Sequence, residues 1–130
     1  LIIGDIDYFK KINDTHGHPF GDTVLRGIAR KLQDSIRDGI DISARYGGEE
    51  FALILVKTDE HRAVETAERI RKEIHTQVFR APGGDNMQVS MSFGLAVYGR
   101  HANKINSLIQ KADKALYRAK QNGRNRVEVF

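Results

Sequence analysis

The chain of 130 residues carries 40% hydrophobic and 29% charged residues, no cysteine and a net charge of +4, which predicts one ordinary globular domain. Disulfides and cysteine-ligated zinc are excluded, and no apolar run approaches the roughly 18 residues of a membrane span. The mild positive charge suits a polyanionic ligand such as a nucleotide, although lysines and arginines on solvated faces are its commoner explanation.

The chain begins abruptly with the apolar Leu1-Ile2-Ile3, which indicates that residues 1–130 are a domain cut from a longer polypeptide. No basic segment followed by an apolar one, as in a secretory signal, is present. A cysteine-free domain is compatible with a reducing cytoplasm. We therefore expect a cytoplasmic domain, in a full protein that could itself be attached to a membrane.

The first predicted element is a buried strand over Leu1–Asp7, whose C-terminal end carries Asp5 and Asp7. The two acids share a face if the strand continues through them. In open α/β sheets, ligands gather beyond the carboxyl ends of the strands, so this end is a candidate binding edge. A short helical turn over residues 8–14 follows.

The next predicted element is a helix that begins at about Asp22, after a loop punctuated by Gly17, Pro19 and Gly21. Asp38-Gly39 is expected to end this helix. Its apolar residues recur at helical spacing. They are Val24, Leu25, Ile28, Ala29, Leu32 and Ile36.

Two apolar runs, residues 40–44 and 51–56, flank Gly47-Gly48 and predict a β-hairpin. The glycines are expected to supply the positive φ angles that tight turns need. Glu49 and Glu50 follow at the tip, where the thin backbone of glycine lets a bulky group approach. Because adjacent strand residues face opposite ways, the two glutamates should have different roles.

Asp59 is a predicted N-cap for a third helical segment, and residues 82–86 have the composition of a turn. The apolar face of that helix is predicted to carry Ala63, Ala67, Ile70, Ile74 and Val78. Residues 87–97 alternate between apolar and small or polar side chains, which predicts one strand.

The last predicted helix starts near Ile105 and ends at Asn122-Gly123, a typical C-cap, before a short strand over 126–130. The complete order is β-αα-ββ-α-β-α-β. This order predicts an α/β fold of the α+β sandwich type, with a mainly antiparallel central sheet flanked by helices.

Carboxylates stand at the ends of both the first strand and the hairpin. If these elements are neighbours in the sheet, Asp5 and Glu49 converge, together with Glu50 or Asp7. Such hard oxygen ligands suit Mg²⁺, which takes one or two carboxylates plus water and substrate phosphates. The alternative is that each acid is a solvated strand end.

Basic residues cluster on the last predicted helix. Lys120 and Arg124 bracket its end, with Lys111, Lys114 and Arg118 earlier. The helix macrodipole favours cations there, and from spacing alone this is the simpler explanation. Phosphate binding is the sharper hypothesis, because the arginine fork and the lysine point charge both bind phosphoryl oxygens.

Several other site types are not supported by the residues. The glycine motifs of P-loop and Rossmann nucleotide sites are missing. His16 and His18 have no third metal ligand at a convincing spacing, which favours a loop or capping role. Ser90 and Ser92 lack a histidine–carboxylate pattern and are interpreted as the small face of a strand.

Five ordered segments spanning nearly the whole chain resemble the GGDEF domains, the diguanylate cyclases. The signature is Arg45-Tyr46-Gly47-Gly48-Glu49-Glu50-Phe51, in its GGEEF form. The supporting segments are residues 5–14 (DIDYFKKIND), 17–22 (GHPFGD), 112–117 (ADKALY) and 119–125 (AKQNGRN).

The resemblance implies a cyclase- or polymerase-palm-like fold. It also implies that two GTP molecules are condensed into cyclic di-GMP with release of two pyrophosphates. In this family-type reaction each 3′-hydroxyl attacks the partner's α-phosphate in line, across a dimer of domains. The metal ligands would be Asp5, Glu49 and the backbone carbonyl of Ile6, and Glu50 would be a second acid needed for activity. The expected ion is Mg²⁺, with Mn²⁺ as the alternative.

The resemblance also assigns substrate contacts. Backbone amides around Phe9 and Lys10 would hold the β- and γ-phosphates, and the side chains of Lys120 and Arg124 would clamp them. Gly47 and Gly48 would let the α-phosphate approach. Asn13 and Asp22 would bind the guanine edge, where an aspartate accepting two hydrogen bonds discriminates against adenine.

The family's inhibitory product site uses an Arg-x-x-Asp motif shortly before the signature. Here Asp41 fits the aspartate position, but Asp38 stands where the arginine belongs, and Arg37 is one residue too early. Arg69 corresponds to the helix arginine that completes such a site. The shifted arginine either restores the site or abolishes it, and the sequence leaves both outcomes open.

The partners implied are GTP, cyclic di-GMP, a second copy of the domain and an upstream sensor or regulatory domain, with no nucleic acid. The family's usual upstream motifs lie outside residues 1–130, so we expect a domain truncated at its N-terminus. Two alternatives remain. One is a regulatory module that binds GTP or cyclic di-GMP without turnover. The other is an RNA-binding sheet, disfavoured because Phe93 belongs to the apolar face.

Overall fold

The computed structural model describes all of residues 1–130. Its strands are β1 (Ile2–Ile6), β2 (Ile42–Arg45), β3 (Glu50–Ile54), β4 (Val78–Arg80), β5 (Asn86–Gln88), β6 (Met91–Leu95) and β7 (Val127–Val129). Its helices are α1 (Phe9–His16), α2 (His18–Asp34), α3 (Glu60–Thr76) and α4 (Ile105–Gln121). None of these helices has both the length and the apolar character that crossing a membrane requires.

The central sheet has five strands in the order β2-β3-β1-β6-β7. All neighbours are antiparallel except β6 and β7, which are parallel. Helices cover the sheet, so the predicted mainly antiparallel α+β fold is confirmed. In this order the first strand and the hairpin are direct neighbours, which places their ends at one edge.

Helices cover both faces of β1. Its alternate residues accordingly belong to two different apolar clusters. Ile2 and Ile6 pack in the main core with residues of α2 and α3, such as Ile28 and Ile70. Ile3 lies in a second cluster with α4. Since strand side chains alternate between faces, the burial of every residue of β1 is what a sheet covered on both sides produces.

Gly94 in β6 allows α4 to approach the sheet closely. A Cβ atom at this position would lie 2.1 Å from the backbone nitrogen of Leu116 and 2.2 Å from the carbonyl oxygen of Ala112. Both atoms belong to the helix backbone and cannot move aside alone. This contact fixes α4, and with it Lys120, relative to the centre of the sheet.

The predicted boundaries of the second helix are wrong. Helix α2 begins at His18, not near Asp22, and ends at Asp34, before the predicted stop. Pro19 fits in its first turn, where a backbone N–H is not needed. Gly21 lies inside the helix, and its lack of a side chain leaves room for Asn13, because a Cβ there would come within 1.9 Å of Asn13 Oδ1. The predicted loop is therefore reduced to Gly17.

The structure contains a small β4–β5 hairpin that the sequence does not predict.

Helix α3 begins after Asp59, whose side chain accepts a hydrogen bond from the Arg62 N–H at 2.9 Å, as expected of an N-cap. The helix ends at Thr76, so Val78 is an exposed β4 residue and not part of its apolar face. The single strand predicted over 87–97 is also wrong, since its first residues pair with β4 and only β6 joins the central sheet.

Candidate active site

The acidic ends of the first strand and the hairpin meet at one edge of the sheet. Asp5 is opposite Glu50 in the β1–β3 ladder. Just beyond it, the Ile6 N–H donates to the carbonyl oxygen of Glu49 at 3.2 Å. Asp5 and Glu49 are therefore close neighbours, in the convergence that the sequence predicts.

Negative charge accumulates at this edge, and one lysine opposes it. Lys120 Nζ lies 2.8 Å from Asp5 Oδ2. Burial nevertheless raises the pKa of Asp5, helped by the charges of Glu50 and Asp7 and opposed by Lys120. Burial, followed by the charge of Asp5, also raises the pKa of Glu49. The two carboxylates are thus destabilised as anions and would gain from a further cation.

The donor set fits a magnesium-like ion that is shared with a substrate. The side chains do not form a preassembled group of three acidic, histidine or cysteine ligands. Mg²⁺ does not need one, since it binds through one or two carboxylates and completes its shell with water and phosphate oxygens. Two partly desolvated carboxylates with raised pKa values, Asp5 and Glu49, are suitable ligands.

The tip of the β2–β3 hairpin is held by hydrogen bonds, and its glycines do not have the predicted conformation. The Tyr46 and Gly47 N–H groups donate to the carbonyl oxygen of Glu50 at 2.8 and 3.2 Å. Neither Gly47 nor Gly48 has a positive φ angle, so that prediction is wrong. The two glycines differ in the space around them: a Cβ at Gly47 would lie 2.6 Å from Glu50 Oε2, whereas one at Gly48 would project into open space.

Arg45 is a residue of this turn to which sequence reasoning gave no role. Its Nε atom lies 3.1 Å from the carbonyl oxygens of both Gly47 and Gly48, and its Nη2 atom lies 2.6 Å from that of Gly48. The guanidinium therefore holds the two peptide units that precede Glu49. Its position two residues before the first glycine was the available signal, but a contact to main-chain oxygens leaves no pattern in side-chain types.

The first turn of α1 presents backbone donors next to the acids. Tyr8 precedes the helix in a left-handed conformation, with φ 56°, and no side chain caps the N-terminus. The N–H groups of Phe9 and Lys10 therefore have no partner within the helix, and such groups favour an anion. The structure places both predicted phosphate-binding amides beside the end of β1.

Lys120 and Arg124 both reach this edge, as the phosphate-binding hypothesis requires. The guanidinium carbon of Arg124 lies 4.5 Å from the ring centre of Tyr8. Two of the earlier cations of α4 have other partners: Lys111 donates to the carbonyl of His101, and Arg118 donates to that of Val129 at 2.7 Å. Lys114 is exposed.

The predicted guanine-binding residues lie on the first two helices. Asn13 Oδ1 is buried and has no hydrogen-bond partner, and it packs against Gly21. Asp22, the next residue, is exposed and borders a cavity of about 460 Å³ between α2 and β2 that Arg45 and Phe51 also line. The unsatisfied amide oxygen in α1 and the exposed carboxylate at the cavity rim are each suited to a polar ring edge.

The residues of the predicted product site surround a separate cavity of about 400 Å³. Arg37 pairs with Asp41 through Nε–Oδ2 and Nη2–Oδ1 distances of 2.8 and 2.7 Å. Hydrogen bonding from this guanidinium lowers the pKa of Asp41 to about 2. Arg69 lines the same cavity and donates to the carbonyl of Ser35 at 2.7 Å, whereas Asp38 is exposed outside it. The displaced Arg37 thus reaches Asp41, but both arginines already have protein partners.

Ser90 and Ser92 are not simply the small face of a strand, as was predicted. Strand β1 ends at Ile6, so Asp7 is outside it, and the serine hydroxyls donate to Asp7 at 2.6 and 2.7 Å. These contacts join residues more than 80 positions apart. No local pattern of the sequence could have revealed them.

Comparison with known proteins agrees with this geometry. Residues 1–126 match the family described as diguanylate cyclase, GGDEF domain. The diguanylate cyclase DosC of Escherichia coli K12 is 42% identical over 130 residues, which are 100% of this chain and 28% of that protein. The chain therefore spans little more than a quarter of the length of this relative.

Solved structures show the same fold. The GGDEF domain of PA1120 from Pseudomonas aeruginosa superposes with a TM-score of 0.92 at 35% identity, over 98% of this chain and 79% of that one. The GGDEF domain of DgcB from Caulobacter crescentus, in complex with c-di-GMP, gives 0.89 at 34% identity, over 98% and 75%. The fold and its acidic edge thus define a cyclase palm-like domain. The chain belongs to the diguanylate cyclase GGDEF-domain family.

Proposed function

We propose that this domain condenses two GTP molecules into cyclic di-GMP and releases two pyrophosphates. The observation that carries the proposal is the meeting of Asp5, Glu49 and Glu50 at one sheet edge, opposite Lys120. Acids alone would repel a triphosphate. Acids that hold a divalent ion, beside cations and free backbone amides, form a site that binds one.

The proposed metal ligands are the carboxylates of Asp5 and Glu49 and the backbone carbonyl of Ile6, with Glu50 as the second acid. Mg²⁺, or Mn²⁺ as the alternative, would neutralise triphosphate charge and lower the pKa of the attacking 3′-hydroxyl. The raised pKa values of Asp5 and Glu49 support this assignment, because an added cation stabilises the ionised form of both groups.

The proposed phosphate contacts come from two directions. The N–H groups of Phe9 and Lys10 bind the β- and γ-phosphates at the start of α1, and Lys120 and Arg124 bind them from the end of α4. Gly48 supports the approach of the α-phosphate, because no atom lies within 4 Å of the position of a Cβ there. Gly47 is the second glycine of this approach, and a Cβ there would lie 2.6 Å from Glu50 Oε2. Asn13 and Asp22 bind the guanine edge.

Turnover in this proposal needs two copies of the domain. Each site binds one GTP, so two sites must face each other before either 3′-hydroxyl reaches the partner's α-phosphate. Bringing bound reactants into this geometry provides a large part of the rate enhancement. A regulatory or sensor domain upstream would control the encounter. Cyclic di-GMP, as a product inhibitor, would bind at Arg37, Asp41 and Arg69 if its phosphates displace their present partners.

The test is incubation of the purified protein with GTP and Mg²⁺, followed by chromatography of the nucleotides and assay of pyrophosphate. The expected result is one cyclic di-GMP for two pyrophosphates, with no product from ATP. Binding of GTP without product, even at high protein concentration, would instead indicate the alternative function of a regulatory nucleotide-binding module.

A further inference from the structure

Asp7 is a buried acid to which the proposed reaction gives no role. It is only 4% exposed, and its carboxylate accepts three hydrogen bonds from two other segments. Oδ2 accepts from the Ser90 hydroxyl at 2.6 Å and from the Asn125 backbone N–H at 3.1 Å. Oδ1 accepts from the Ser92 hydroxyl at 2.7 Å. Asp7 therefore connects the end of β1 to β6 and to the loop after α4.

That loop has an unfavourable backbone conformation that requires external support. Arg124 and Asn125 have φ angles of 60° and 46°, so two consecutive residues other than glycine are left-handed. Such conformations persist only where surrounding contacts hold them. The supports here are the bond from the Asn125 N–H to Asp7 and a bond from Arg71 Nη1 to Asn125 Oδ1 at 2.8 Å.

The guanidinium of Arg124 is positioned by its own loop, which Asp7 holds through Asn125, and by the side chain of Tyr8. Tyr8 follows Asp7 directly and is itself left-handed, with φ 56°. The Arg124 guanidinium stacks on the Tyr8 ring at 4.5 Å, and its Nη1 atom lies 3.3 Å from the Tyr8 hydroxyl. Asp7 thus anchors the residue that carries the ring and, through the Asn125 N–H, the loop that carries the arginine.

We propose that Asp7 is a positioning residue that holds Arg124 at the phosphate end of the site. This inference rests on the proposed function, in which Arg124 contacts the β- and γ-phosphates. Asp7 does not itself touch the nucleotide. Its loss should therefore weaken the binding of a nucleoside triphosphate and leave the binding of a monophosphate unaffected.

The hydrogen-bond donors around Asp7 make its replacement by alanine differ from its replacement by asparagine. In Asp7→Ala the Asn125 N–H loses its acceptor, and the left-handed loop keeps only the support from Arg71. In Asp7→Asn the amide oxygen can still accept from that N–H, while its NH₂ group donates to the Ser92 hydroxyl, which rotates to accept. Asp7→Asn is accordingly the conservative variant that should retain binding.

The experiment is calorimetric titration with 3′-deoxy-GTP and Mg²⁺, since this nucleotide cannot undergo condensation, and with GMP as the second probe. Asp7→Ala and Arg124→Ala should each weaken 3′-deoxy-GTP binding about tenfold, the magnitude expected for one charged hydrogen bond. The double variant should bind no more weakly than Arg124→Ala, because Asp7 acts through that residue. GMP affinity should be the same in every variant, and Asp7→Asn should bind like the wild type.

The inference would be overturned if Asp7→Ala binds 3′-deoxy-GTP like the wild type, if it weakens GMP equally, or if the two losses multiply in the double variant. Should Asp7→Ala fail to fold, Asp7→Ser carries the same expectations, because it keeps a polar group at this position but removes the charged acceptor of the Asn125 N–H. A wild-type protein that binds no 3′-deoxy-GTP would overturn the proposed function and this inference together. Normal wild-type binding with unaffected Asp7 variants overturns the inference alone.

Discussion

Lys120 and Asp5 form an ion pair at the centre of the acidic edge, with Nζ 2.8 Å from Oδ2. The carboxylate side chain is 9% exposed and the ammonium side chain 32% exposed. The pKa of Asp5 is nevertheless raised, because the effect of burial exceeds that of Lys120. The pair therefore leaves Asp5 short of positive charge, which supports its proposed role as a metal ligand.

Replacing Lys120 by methionine should impair substrate binding. The variant loses the ammonium group proposed to contact the phosphates, so the KM for GTP should rise about tenfold or more. Initial rates measured over a range of GTP concentrations give this value. Lys114→Met on the same helix is the matched control, since that side chain is exposed. Equal KM values in the two variants would contradict a phosphate contact by Lys120.

Replacing Gly48 by alanine separates stability from function. The backbone there is not left-handed and a Cβ meets no atom within 4 Å, so the urea midpoint of unfolding should not change. The methyl group would nevertheless occupy the approach of the α-phosphate, and kcat/KM should fall by about a hundredfold. Unchanged kcat/KM would show that the space beside Gly48 is not used by the substrate.

The Arg37–Asp41 pair predicts a defined pH dependence of stability. Hydrogen bonding from Arg37 lowers the pKa of Asp41 from 3.8 to about 2. An acid with a lowered pKa in the folded state stabilises the fold above its unfolded pKa, and this stabilisation is lost as the pH falls through the folded value. Asp41→Asn should therefore lower the free energy of unfolding by about 2 kcal/mol at neutral pH.

The difference between wild type and Asp41→Asn should disappear as the pH falls from about 4 to about 2. Urea unfolding at a series of pH values measures it. The exposed neighbour Asp38 supplies the control, because Asp38→Asn should have little effect at any of these pH values. A wild-type advantage over Asp41→Asn that persists unchanged to the lowest pH would contradict the ion pair.

Gly94→Ala tests the close packing of α4 on β6. The added methyl would overlap the helix backbone at Leu116 and Ala112, so the helix must shift. We expect the free energy of unfolding to fall by about 3 kcal/mol, at the upper end of the usual cost of overpacking. Urea unfolding measures the change, and Gly48→Ala is the control for adding a methyl where space exists. A loss below about 0.5 kcal/mol, typical of surface substitutions, would contradict the packing.

What the sequence predicts depends on the range of the contacts involved. The meeting of Asp5 with the hairpin was predictable, because Asp5 follows one apolar run and the glutamates precede another, and the strand character of both runs follows from local pattern. The β4–β5 hairpin was not, since strands of three residues have too few positions to show a period, and the alternation of residues 87–97 continues without interruption into β6.

The contacts of individual side chains were the least predictable part of the site. Asp7 contacts Ser90, Ser92 and Asn125 only in the folded chain, so no local pattern of the sequence indicates its proposed positioning role. The glycines of the signature turn are expected from the sequence for their φ angles, but in the structure Gly47 is close to the Glu50 side chain and Gly48 faces open space. The space around each glycine depends on where the folded chain places Glu50 and on the unoccupied volume beside Gly48, and the residue types alone do not indicate either.

The most direct test of the central claim is cyclic di-GMP formation by copies of this domain joined in forced dimers, with wild-type protein compared with Glu49→Gln. The substitution removes the charge of one proposed metal ligand and keeps its size, and equal thermal midpoints would establish that both proteins are folded. We predict that the wild-type dimer converts GTP to cyclic di-GMP and that the rate falls by about a thousandfold or more in Glu49→Gln. Absence of product from the wild-type dimer, or equal rates in the two proteins, would contradict the account.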